Sequence, residues 1–392
     1  MAVLNKDDFY YLNTTTGWGT PPIKEKRPDT YFWSIRDFSE SDCYYFEFKH
    51  GDAFDVFPIE TLIAPDALLR IKNKEVMLIV CNSHEAFHGV VEGLYQSLVL
   101  RTGIPPEQIV LMSESADILT EIKRVSTIHN VGEIKAEWVR VFEADVQGQK
   151  NRLLDTGQVL PTLVDKDYPK KFINFNRRWR PHRPALVSLL FASDLFKYGH
   201  ISLGESDDAK SWNTVFKAVK HYHRKNVVFS EILNQFEEQI INLPPLYIDS
   251  TDLVTNRAWL DETTDYLYSS TYFSVVTETN FYTVDSFETG RFLSEKTFKP
   301  IAQQHPFIIV SVPKMLETLR SLGYKTFSPW IDENYDNELD DSIRLLKIVD
   351  EIKRLSELTP AELTVFLDNT REICEFNLAV LMSKTHFITK LN

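Results

Sequence analysis

The chain has 392 residues, enough for two domains of ordinary size, with 43% apolar and 25% charged residues, the balance of a soluble globular protein. Aromatics at 12% argue against extended disorder, and a net charge of −13 excludes a protein that holds polyanions by its overall field. The only cysteines, Cys43, Cys81 and Cys374, are too few and scattered for a disulfide framework or a cysteine-type zinc site.

A reducing cytosol suits that cysteine usage. No run approaches the ~18 apolar residues of a membrane span, and the first eight residues lack the apolar core of a signal peptide. Residues 1–70 mix turn residues with short aromatic runs, which predict small strands around 31–33 and 43–48.

From residue 75 the pattern sharpens. Val76-Met77-Leu78-Ile79-Val80-Cys81 predicts a buried strand, and polar Asn82-Ser83-His84-Glu85 follows it. Val90, Leu94, Leu98 and Arg101 recur at helical spacing, with Gly103 as the stop signal. Further strands are predicted at 109–112 and 139–142, so the first domain, residues 1–165, is a parallel α/β domain.

His84-Glu85-Ala86-Phe87-His88 matches the zinc-peptidase pattern, in which two histidines one turn apart grip a metal and the glutamate activates water. The context opposes a zinc helix. The motif follows a buried strand, Gly89 interrupts the helix it would need, and Leu94 stands where a third histidine ligand would come. The alternatives are a polar cap on a strand-to-helix turn, or an acceptor-side base formed by Glu85 or His84 at the carboxyl end of that strand. No metal is expected.

The second domain is expected at 166–335. Residues 170–176 read as a strand and lead into Arg177-Arg178-Trp179-Arg180-Pro181-His182-Arg183-Pro184, after which an apolar helix opens. Pro184 suits a first helical turn. Four arginines and one histidine, His182, packed before a helix start make an anion site from two causes, side-chain charge and unpaired backbone N–H groups. Helices follow over 211–246, broken by Leu243-Pro244-Pro245-Leu246, and a polar stretch with Asp249, Asp252 and Asp261 reads as capping and solvation.

Residues 273–311 form the organising unit. Phe273-Ser274-Val275-Val276 is a strand ending in Thr277 and Glu278, Ser294-Glu295-Lys296 starts a helix, and Phe307-Ile308-Ile309-Val310 is a second buried strand. Such a unit gathers Glu278, Glu295 and Lys296 at one rim, where acids accept from ribose hydroxyls and a lysine adds charge to a helix start. A helix to 322, stopped by Gly323, and a strand at 324–327 come next. The acidic run 332–341 leads into a helix, and Thr359-Pro360-Ala361-Glu362 is a capping box that starts the last one; residues 336–392 form the C-terminal helices.

These motifs resemble the nucleotide-sugar-binding half of GT-B glycosyltransferases, most closely the α1,3-fucosyltransferase type, in Val276-Thr277-Glu278, Ser294-Glu295-Lys296 and Phe307-Ile308-Ile309-Val310. The Asn176-Arg177-Arg178 to Arg183 string is similar to phage glycosyltransferases, some of which decorate hydroxymethylated DNA bases. Ala302-Gln303-Gln304-His305-Pro306 replaces the small residue and glycine usual before the final strand. The resemblance implies two Rossmann-like domains facing a cleft, with terminal helices crossing back. It implies a nucleotide-diphosphate sugar as donor substrate, no tightly bound cofactor, and a hydroxyl acceptor: a base in modified DNA or a glycan. Arg177, Arg178, Arg183, Glu278, Glu295 and Lys296 would bind the donor. A phage-encoded enzyme would work in the host cytoplasm, with no membrane partner.

Overall fold

The computed structural model describes residues 9–12, 31–33, 43–47, 65–82, 89–155, 168, 170–176, 180–204, 212–248, 262–283, 290–384 and 388–390. The protein is mixed α/β, and it divides into two compact units: Met1–Val141 with Asp285–Phe292 and Thr385–Asn392, and Phe142–Val284 with Leu293–Lys384.

The first unit holds β1 (Phe9–Leu12), β2 (Tyr31–Trp33), β3 (Cys43–Glu47), α1 (Pro65–Lys72), β4 (Met77–Asn82), α2 (Gly89–Leu94), β5 (Ile109–Ser113), α3 (Ile118–His129) and β6 (Lys135–Trp138). A five-stranded parallel sheet runs β1-β3-β4-β5-β6. Leu78, Val80, Ile109 and Leu111 pack with Val90, Leu94, Leu98, Ile118 and Ile122 into its core. Those continuous apolar strands are what a sheet covered on both faces requires.

The helical spacing over 89–101 is realised as α2 followed by a π-helical stretch, Tyr95–Arg101. Gly103 ends it at φ +74°, a conformation that favours glycine. The strand expected at 139–142 lies instead at Lys135–Trp138. This is an edge strand whose exposure alternates, so it carries no apolar run.

The second unit begins with α4 (Val141–Asp155), a helix through the polar stretch 147–151. Gln147 there donates to the Lys384 carbonyl at 2.7 Å, and Lys150 is fully buried with its ammonium on the Ala302 carbonyl. Then come β7 (Phe172–Asn174), α5 (His182–Ala192), β8 (Gly199–Ile201), α6 (Trp212–His223), α7 (Val227–Gln235), α8 (Glu237–Ile241), α9 (Glu262–Ser269), β9 (Phe273–Thr277), α10 (Glu295–Ala302), β10 (Phe307–Val310), α11 (Met315–Ser321), α12 (Asp341–Ser356) and α13 (Pro360–Ser383). The sheet is parallel throughout, in the order β10-β9-β7-β8. Every residue of β7, β9 and β10 is buried.

Gly323 stops α11 with φ +92°. The strand expected at 324–327 is absent. Asn377 of α13 takes that segment's backbone bonds instead, accepting from Lys325 N–H at 2.8 Å and donating to its carbonyl at 2.9 Å. The acidic run is a set of caps. Asp336 is buried against the Leu316 N–H at the start of α11, and Asp340 caps α12 through Ser342 and Ile343. Thr359 and Glu362 form the expected capping box of α13. The last strand, β11 (Ile388–Lys390), pairs antiparallel with β2 in the first unit. Among the described residues no helix is long and apolar enough to cross a membrane.

Candidate anion-binding site

In the second unit the chain moves from β7 outward to β8 on one side, and later from β9 outward to β10 on the other. β7 and β9 are therefore the neighbours at which the connection order reverses. The crevice outside their carboxyl ends is where open parallel sheets receive ligands.

Polar side chains stitch that end of the sheet together. Asn174 Nδ2 donates to the Val275 carbonyl at 2.7 Å, and Thr277 Oγ1 donates to Asn176 Oδ1 at 2.6 Å. Asn176 Nδ2 reaches Asn174 Oδ1 and, at 3.1 Å, the Ser202 carbonyl. All three side chains are buried, so these bonds offset a desolvation cost of about 1–3 kcal/mol per polar group.

Two helices start from this edge. Beyond β7 the chain enters α5, whose first turn is His182-Arg183-Pro184. Beyond β9 it returns to Ser294, the N-cap of α10, whose Oγ accepts from the Lys296 N–H at 3.3 Å. Glu278, fully buried at the end of β9, turns its carboxylate onto that cap. It accepts from Ser294 N–H at 3.1 Å, Ser294 Oγ at 2.6 Å and Thr297 Oγ1 at 2.6 Å. Lys296 Nζ donates to Ser294 Oγ at 2.9 Å and pairs with Glu295 Oε1 at 3.1 Å. Burial opposes the charge on Glu295, but Lys296 and Lys299 outweigh it and lower the pKa of the carboxyl.

His182 joins the two helix heads. It is 1% exposed, and its Nε2 lies 2.9 Å from the Glu278 carbonyl. Its ring stacks on Phe281, with centroids 5.4 Å apart and planes at 17°. Burial drives its pKa well below the ordinary imidazole value, and the charges of Arg183, Arg180 and Lys296 act in the same direction, against the bond to Glu278. Cations from both helix heads thus act on one neutral ring. The α10 head's own N–H groups are taken up by Glu278 and Ser294, so what this edge offers an anion is side-chain charge.

Of the residues expected at the donor site, Arg183, Glu278, Glu295 and Lys296 fall at this edge. Arg183 is buried, with 4% exposure, and Glu278 meets the α10 cap. Arg177 and Arg178 lie outside the described residues, as do His84, Glu85 and His88. Among the described residues no cluster of three or more His, Cys, Asp or Glu side chains could hold a metal. The sequence reading did not single out Asn174, Phe281 or Arg344, and it took His182 as one member of the basic string at the anion site, whereas burial keeps its ring neutral. Arg344 is 1% exposed and lies 4.4 Å from the Phe281 ring; it donates to the Phe281 carbonyl at 2.6 Å, to Ser311 O at 3.0 Å and to Asp341 at 2.7 Å. The alternation Asn174-x-Asn176 beside a buried strand was the one available signal for the polar stitch.

No protein-family model and no curated protein sequence matches the chain. Solved structures do. A UDP-forming α,α-trehalose-phosphate synthase from Burkholderia xenovorans is 12% identical, with a TM-score of 0.44 over 89% of this chain and 73% of that one. An α,α-trehalose 6-phosphate synthase from Burkholderia multivorans is 11% identical, with a TM-score of 0.41 over 90% and 71%. Identity this low leaves the chemistry of the site to be read from its own residues.

Proposed function

We propose that the protein is a GT-B-type glycosyltransferase that binds a nucleotide-diphosphate sugar at the carboxyl edge of the second unit's sheet and moves the sugar to a hydroxyl. The observation that supports this most is the meeting of the α5 and α10 heads at the switch point, where His182 of α5 bonds to the Glu278 carbonyl and the Glu278 carboxylate bonds to Ser294 at the head of α10. Lys296 and Arg183, with Arg177 and Arg178, neutralise the diphosphate and stabilise the charge that grows on it as the glycosidic bond breaks. Glu295, partly exposed beside Lys296, accepts from a ribose or sugar hydroxyl. We assign Glu278 a different part from the ribose contact expected of it, because its carboxylate is already engaged by Ser294 and Thr297. It shapes the helix head. Glu85, with His84 beside it, serves as the acceptor-side base on the sequence argument alone.

Nucleotide sugars screened by thermal shift test the donor. A binder present at 100 times its dissociation constant stabilises by about 2.7 kcal/mol. No shift from any uridine, guanosine, cytidine or thymidine diphosphate sugar would remove the donor reading. For the acceptor, the phage resemblance favours a hydroxymethylated DNA base over a glycan. Radiolabelled donor offered with hydroxymethylated and unmodified duplexes of one sequence should label only the first, and less at high salt. Label entering a glycan alone would place the acceptor there.

A further inference from the structure

His182 stands where the two helix heads meet. We propose, resting on the donor-site reading above, that His182 is a positioning residue. Its Nε2–H holds the carboxyl end of β9 against the first turn of α5, and so sets where Lys296 presents its charge.

The path is continuous. His182 Nε2 donates to the Glu278 carbonyl at 2.9 Å, the carboxylate of the same Glu278 takes Ser294 Oγ–H at 2.6 Å, and Ser294 Oγ takes Lys296 Nζ at 2.9 Å. His182, Glu278 and Ser294 are each at most 1% exposed, so water does not compete for these bonds. A carbonyl only accepts, so the ring must carry hydrogen on Nε2. The burial and neighbouring cations that keep this imidazole neutral agree with a single ring hydrogen committed to that bond.

The ring face does a separate job. Phe281 stacks on it, and Arg344 holds Phe281 through both ring and carbonyl. Packing and donation can therefore be separated by substitution. Phenylalanine keeps a ring on Phe281 and loses the N–H, whereas glutamine loses the ring and reaches about as far with an amide N–H as Nε2 does.

The test uses the intact chain with inorganic pyrophosphate as probe, followed by calorimetry, together with hydrogen exchange of the segment 293–299. His182→Phe should bind pyrophosphate roughly tenfold more weakly than the parent, the loss of one buried bond. It should also exchange faster over 293–299, far from residue 182 in sequence. His182→Gln should restore both to within about threefold, since it keeps the donor. Parental binding by His182→Phe, or equal loss in both variants, overturns the proposal. If the parent itself binds neither pyrophosphate nor nucleotide sugars, the donor reading fails, and exchange decides alone. Faster exchange only in His182→Phe then supports the positioning role, and unchanged exchange overturns it. Should His182→Phe not fold, His182→Gln decides: parental binding supports the role and weakened binding overturns it.

Discussion

Glu278→Gln is a small change with a large expected effect. The carboxylate accepts three hydrogen bonds at the head of α10 and is fully buried. The amide keeps one oxygen, which can still take Ser294 N–H and Thr297 Oγ1–H. Its NH2 group replaces the oxygen that took the Ser294 hydroxyl proton. Ser294 Oγ cannot simply reverse, because it already accepts from Lys296 N–H and Nζ. One charge-assisted bond is lost outright, two donors face each other, and the remaining two bonds weaken as the charge disappears. The sum is about 2–4 kcal/mol of stability. For a unit of this size each kcal/mol shifts Tm by about 2–4 °C, so a fall of roughly 5–15 °C is expected. Urea unfolding without ligand, followed by far-UV circular dichroism, gives the midpoint and slope for both proteins. A variant within about 0.5 kcal/mol of the parent would show that the α10 head does not rest on a charged carboxylate, and the argument for Glu278 would fall.

Lys296→Ala should lower turnover at saturating donor by roughly 10–100-fold while changing stability by less than about 1 kcal/mol, because its partly exposed ammonium contributes charge more than packing; unchanged turnover removes it from the mechanism. Gly199→Ala should cost about 1–3 kcal/mol, since a Cβ there would enter the Phe172 ring, and a urea midpoint equal to the parent's would contradict that close approach. Burial lowers the pKa of His223 to about 3 and of His305 to about 4, and that of His182 falls well below its ordinary value. Below an unfolded pKa of about 6.5 the unfolded chain binds protons that these rings refuse. Stability should therefore fall as pH drops from about 6.5 to 5, by up to about 1.4 kcal/mol per pH unit for each ring. A flat urea midpoint across that window would refute the neutral assignments.

Three strands of the second unit's sheet were readable because they are buried on both faces, and a run such as Phe307-Ile308-Ile309-Val310 has few other uses, whereas β8, the short Gly-His-Ile edge strand, carries no such run and was not predicted. The edge strand β6 was displaced because Lys-Ala-Glu-Trp alternates between solvent and protein, while Val139 and Val141 beyond it supply apolar surface without belonging to a ladder. At 324–327 the apolar residues are buried by packing, Phe327 against the Phe307 ring at 4.9 Å and Tyr324 near Phe298. Apolar content alone cannot distinguish such a segment from a strand, since what differs is who satisfies the backbone, here the Asn377 side chain. Helix heads were legible through local chemistry, Ser294 for α10 and Thr359 for α13. The carbonyl-bound role of His182, which the sequence offered only as one member of a basic string, and the place of Arg344 were not, because their partners are backbone carbonyls 96 and 63 residues away, and a carbonyl has no signature in sequence.

An acidic chain can still hold a diphosphate because fields in salt water are local. At physiological ionic strength the screening length is about 8 Å, so a ligand at the α5 and α10 heads responds to the charges within that distance rather than to the net −13 of the chain. Within that reach, Arg180, Arg183 and Lys296 act on the same ring, with Glu278 spent on the α10 cap and Glu295 paired to Lys296. The same screening works against DNA as acceptor. A duplex extends over many screening lengths, so its affinity depends on basic surface distributed along its path rather than on one charged pocket. Donor and acceptor thus place different demands on this composition. A compact site satisfies the first, whereas the second requires a separate basic surface whose contribution would show as a salt-dependent acceptor affinity alongside a donor affinity that varies far less.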